Sequence, residues 1–218
     1  MNTRTFAVVR YYATLFAGSQ RWLAPALLYG IVLAIDSTGG DTAADAFAYS
    51  AAFLLPVAAW MTRSMLTTEP AESAAMVATL VGPVRARLAA LTAATCYALL
   101  CAVLGAVVAL TAGSHGGGST TAAGLVTELL CVLLGTAAGA VAAPPLVRPT
   151  GWGVLLVGLL SLGLLIARFS PADAAIRSLT AVSNGGALHF PYWAPPFALV
   201  ITAVAWAGAA HAATRHVP

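Results

Sequence analysis

Six long apolar runs alternate with short polar stretches along the chain, at residues 22–35, 46–65, 88–110, 121–142, 151–167 and 192–211. A helix crossing hydrocarbon needs about twenty apolar residues, because a backbone without water must satisfy its own hydrogen bonds. The pattern predicts an all-α integral membrane protein of about six transmembrane helices, forming one domain over residues 22–218. The first run is short and borrows residues from its flanks. Ahead of it, Phe6, Val8, Val9, Tyr12, Ala13, Leu15 and Phe16 share one broad helical face, with Thr3, Arg10 and Thr14 opposite. That predicts an amphipathic helix over residues 1–21 lying in the membrane interface. An N-terminal extension of the first span is the other reading, though an arginine within the run is costly in hydrocarbon.

Three connecting segments carry further signals. In residues 67–87, Glu69 and Glu72 open a short helix, Pro70 sits in its first turn, and Gly82 with Pro83 stops it before Arg85 and Arg87 enter the third span. Acids suit the positive end of a helix, and a proline there loses no hydrogen bond. The stretch is therefore either a short helix available to a cytoplasmic partner or a solvated loop. Gly113 to Ser119 reads as a flexible outer turn; it lacks the Lys-Ser/Thr ending of a phosphate-binding loop. Pro144, Pro145 and Pro149 end the fourth span around Arg148. Residues 168–191 have room for a helix from Ser170-Pro171 to Asn184-Gly185-Gly186, one that can dip back into the membrane. Phe190, Tyr192 and Trp193 follow it as an interfacial aromatic belt or, alternatively, an exit region that touches cargo.

Composition narrows the class. Apolar residues make up 60% of the 218 and charged ones 8%, with a mean hydropathy of +0.89; soluble domains run near 45–50% and about 25%. The ten basic residues are all arginine, for a net charge of +3. They lie scattered between the apolar runs, without the single basic face that nucleic acid requires, so no nucleic-acid partner is expected. By the positive-inside rule both termini are cytoplasmic: Arg4, Arg10, Arg21, Arg63, Arg85, Arg87, Arg148 and Arg215 fall inside, leaving Arg168 and Arg177 outside. Asp36, Asp41, Asp45 and Asp173 collect on the outer side. Such a composition places the chain in a bacterial cell membrane.

Polar chemistry within the runs is sparse. Cys96, Cys101 and Cys131 lie in apolar stretches without ligand spacing, so neither metal nor disulfide is expected. His115, His189, His211 and His216 share no spacing that suggests catalysis. Arg63 reads as a snorkelling anchor at the inner end of the second span. Glu128 stands alone in the fourth run, where a central charge costs roughly 2.5–3.5 kcal/mol. It is expected to face the protein interior, either as a structural ion pair with Arg168 or in a water-lined path with a cargo or proton-linked role. A membrane-embedded enzyme would need a polar constellation at that depth, and none is apparent.

The amphipathic N-terminal helix, the acidic segment Glu69-Pro-Ala-Glu72 followed by Leu80-Val-Gly-Pro-Val-Arg85, and the outer element before the last span together resemble the type-2 permease family of ABC exporters. The resemblance extends over the whole chain, although basic residues around the coupling segment are fewer than is usual there. It implies that Glu69, Glu72, Leu80, Arg85 and Arg87 take part in coupling to cytoplasmic ABC ATPase subunits. It also implies pairing with a second copy or a related permease, to enclose a path for a lipophilic or amphipathic cargo such as a drug, natural product, lipid or peptide. No phosphate-binding motif occurs in the chain, so ATP and Mg would belong to the partner and this chain would need no cofactor. A non-transporting scaffold or immunity protein is the alternative.

Overall fold

A computed structural model of the protein describes residues 3–37, 42–112, 117–147 and 150–214. The residues of the Gly-rich turn up to Gly116, including His115, lie outside the described residues, as do Asp41, Arg148, Pro149, Arg215 and His216. The described residues form nine helices and no strand: α1 (Thr3–Gly18), α2 (Leu23–Asp36), α3 (Ala43–Leu66), α4 (Ala71–Val81), α5 (Pro83–Ala112), α6 (Gly118–Val141), α7 (Thr150–Ile166), α8 (Pro171–Ser183) and α9 (Ala194–Thr214). Four of them, α3, α5, α6 and α9, are long and apolar enough to cross a membrane. The pair α7 and α8 qualifies only jointly and is bent by 49°, so the crossings number five if that pair counts as one.

Two of the six expected runs therefore fall short as single spans. With 14 residues, α2 rises about 21 Å, less than the roughly 30 Å of a hydrocarbon core. Its flanks add nothing: Trp22 lies in a turn, and the chain leaves the helix after Asp36. The 17 residues of α7 stop before Arg168, and the chain turns into α8 instead of continuing.

The local signals that start and stop these helices act as their chemistry dictates. Thr42 caps α3 by accepting from the Asp45 amide, and Ser170 caps α8 by accepting from Ala172, with Pro171 in the first turn. Gly82 separates α4 from α5 at a φ of +87°, a conformation that favours glycine. Pro70 is the N-cap residue of α4. Gly118 and Ser119, expected in the outer turn, instead open α6.

At the centre, α3 lies along α6, with α5, α8 and α9 around the pair. The approach is close because α6 presents glycines. A Cβ on Gly135 would run into the Leu55 carbonyl oxygen and Ala58, and one on Gly139 into the Ala59 carbonyl oxygen and Thr62. Small residues let helix backbones meet in lipid, where apolar burial supplies no drive to associate. Polar bonds add to this packing, as where the Thr202 hydroxyl on α9 donates to the Leu133 carbonyl on α6 at 3.1 Å. Outward faces are strongly apolar: Val103 and Leu104 on α5, Leu159 and Ile166 on α7, and Val200 and Val204 on α9 are all exposed. Apolar faces of this extent match a lipid solvent. The chain is a multi-pass, all-helical membrane protein.

Packed on the bundle, α1 is too short to span. It seats Tyr12 and Phe16 over the alanines of α5, with Val8, Val9 and Ala13 beside them, while Phe6 is exposed. The Tyr97 hydroxyl donates to the Ala13 carbonyl at 3.0 Å, and the Phe16 and Tyr97 rings meet edge to face.

Candidate functional site

The end of the bundle that gathers Arg10, Arg21, Arg63, Arg85 and Arg87 is built by arginines bonding to carbonyl oxygens near helix C-termini. Arg21 donates to the Thr67 carbonyl just beyond α3 at 3.0 Å, Arg63 to Ala142 just beyond α6 at 3.2 Å, and Arg87 to Pro144 in the following turn. The last carbonyls of a helix have no partners within it and carry partial negative charge, so a guanidinium satisfies both needs. Arg63 is thus a correction to the snorkelling reading. It is 9% exposed, and its guanidinium fills the space beside Gly153 of α7 that a Cβ would occupy. Charge patterning places arginines at this end; only the fold shows which carbonyls they hold.

The acidic segment of residues 67–87 sits on this framework. Glu69, half-buried in the turn before α4, accepts from the Tyr11 hydroxyl at 3.1 Å. Burial, and then Glu69 itself, raise the Tyr11 pKa above its ordinary value, which keeps the phenol a donor. In this way α1 and the start of α4 are tied together. Glu72 is exposed in the first turn of α4, Leu80 near its end is 83% exposed, and Met76 is 64% exposed. Arg85 is exposed and Arg87 half-buried in the first turns of α5. The fold brings Glu69 and Arg87 to one groove of about 550 Å³, bounded by Tyr12, Met65, Ala78 and Pro144. Leu80, Glu72 and Arg85 do not line it.

Glu128 faces the interior, as expected, and is 2% exposed. Its Oε1 accepts from the Ser50 hydroxyl at 2.8 Å, a bond from α3 to α6. The Tyr29 hydroxyl of α2 and Glu128 both abut Gly105 of α5, where a Cβ would overlap them, so four helices meet at this point. The expected ion pair with Arg168 does not form. Arg168 is exposed in the turn between α7 and α8, and among the described residues the one salt bridge joins Arg177 to Asp173. Ser50 supplies the partner instead, a choice the sequence hid because serine is common in spans and nothing in its spacing points to Glu128.

At the opposite end, Tyr192 is 86% and Trp193 49% exposed, as an interfacial belt requires. Phe190 departs from that role. Half-buried, it packs against the clusters under α3, α6, α8 and α9, with its ring edge-on to Tyr192 at 5.9 Å. Among the described residues no group of acids, histidines and cysteines has the arrangement of a metal site. No family model, curated protein or solved structure matches the chain.

Proposed function

We propose that this protein is the membrane subunit of an ATP-driven exporter, forming half of a path for a lipophilic or amphipathic cargo and moved by a separate cytoplasmic ATPase that binds ATP and Mg. The observation that carries the reading is α4. It is fixed at its start through the Glu69–Tyr11 bond and joined at its end to α5 through Gly82 and Pro83, yet it leaves Leu80 and Met76 uncovered. An anchored helix that exposes apolar side chains at the arginine-rich end suits a protein partner pushing on α5, a membrane-crossing candidate. In this reading the arginine-rich end is cytoplasmic with both termini, and a second copy or related permease supplies the other half in the bacterial cell membrane. Leu80, with Glu72 and Arg85 around it, meets the ATPase, while Glu69 and Arg87 transmit the contact to the bundle.

Co-expression with the products of the neighbouring reading frames, among which the proposal expects a P-loop ATPase, followed by purification, tests this. The ATPase is expected to co-purify, and Leu80→Asp should lower partner-stimulated ATP turnover at least about tenfold, equivalent to 1.4 kcal/mol of contact, with the elution profile of the wild type unchanged. An ATPase that neither binds nor responds to Leu80→Asp contradicts the proposal and favours a scaffold or immunity protein.

A further inference from the structure

The groove at the arginine-rich end has apolar walls and a cation inside it. Met65, Leu66, Ala74, Ala78 and Ala90 line it together with Arg87. The Arg87 Nη2 donates to the Pro144 carbonyl, but its Nε is buried and has no acceptor among the described residues. Among the described residues no carboxylate pairs with Arg87, and the acid of the groove, Glu69, is engaged by Tyr11. Arg87 itself lines the groove, and an anionic oxygen is the strongest partner for a guanidinium. The remaining wall, of alanines and prolines with the Tyr12 ring, leaves a trough whose chemistry suits an alkyl chain.

We propose that this groove binds an anionic phospholipid, with the phosphodiester at the free side of Arg87 and one acyl chain along the alanine-lined trough. Charge complementarity selects the headgroup. Arg87 stands in the first turns of the membrane-crossing candidate α5, and the ends of a crossing helix meet the headgroup region of a bilayer. The inference is independent of the transporter reading, since lipid retention is measured with no ATPase present.

Native mass spectrometry of the full-length protein, titrated with phosphatidylglycerol and phosphatidylcholine of matched chains, tests it. The wild type is expected to retain phosphatidylglycerol at least about tenfold more tightly, and Arg87→Gln to erase that preference while Arg85→Gln, at an exposed arginine nearby, keeps it. Ala78→Phe, which fills the trough and leaves Arg87 in place, should weaken retention of both lipids. Equal loss in Arg85→Gln, unchanged retention in Ala78→Phe, or glycerophosphate without chains binding as tightly as the lipid would overturn the proposal. If Arg87→Gln does not fold, Ala78→Phe and the chainless anion decide the matter.

Discussion

Gly135→Val and Gly139→Val are each expected to prevent recovery of folded, monodisperse protein from membranes. Overpacking a core that can yield costs about 1–3 kcal/mol, but the atoms a Cβ meets here are backbone: the Leu55 carbonyl oxygen for Gly135 and the Ala59 carbonyl oxygen for Gly139. Neither can move aside without separating α3 from α6, the central pair of the bundle. In lipid the loss is not offset by apolar burial elsewhere, because acyl chains solvate the separated faces as well as the partner helix did. Gly158→Val and Gly163→Val on α7, where a Cβ has nothing within 4 Å, provide the matched controls and should elute as the wild type does. Size-exclusion chromatography of all four variants checks this. Equal behaviour of the two pairs would show that α3 and α6 do not pack through these glycines.

Glu128→Lys is expected to be lost in the same assay, whereas Glu128→Gln should fold normally. A glutamine carbonyl can accept from Ser50 as the carboxylate does, preserving the bond from α3 to α6. A lysine cannot accept, and its longer chain would place an ammonium against Gly105 and the Tyr29 hydroxyl with no anion to meet it. Uncompensated buried charges cost about 3–5 kcal/mol. Any Glu128→Lys protein that is recovered should melt in detergent about 6–20 degrees below Glu128→Gln, given a slope of roughly 2–4 degrees per kcal/mol for a chain of this size. A Glu128→Gln protein as unstable as Glu128→Lys would show that the carboxylate holds the bundle through something other than the Ser50 bond.

The parts of the fold legible in the sequence are those that hydropathy and capping chemistry determine locally. The apolar runs within α3, α5, α6 and α9, the stop at Gly82-Pro83 and the helix between Ser170 and Asn184 follow from residues acting on their own neighbours. Span count was less legible, since a run such as 22–35 reads as apolar whether or not it has the length to cross. Partners across the bundle were not legible at all. Nothing in the spacing of Ser50 and Glu128 indicates that α3 and α6 face each other, and the Arg168 pairing inferred from sidedness fails because the chain breaks at α7 and leaves that side chain exposed. Arginine positions showed one end of the bundle to be basic but not that Arg21, Arg63 and Arg87 hold carbonyls there. Phe190 likewise looked like one more interfacial ring and turns inward, because α8 folds back and opens a place for it.

Sidedness of α4 tests the account most directly, because the proposed grip of an ATPase requires Leu80 to face the cytoplasm. With Cys96, Cys101 and Cys131 replaced by alanine, Leu80→Cys should resist a membrane-impermeant maleimide in intact cells and react fully in inverted vesicles. Labelling of that position in intact cells would contradict the orientation and, with it, the proposed partner.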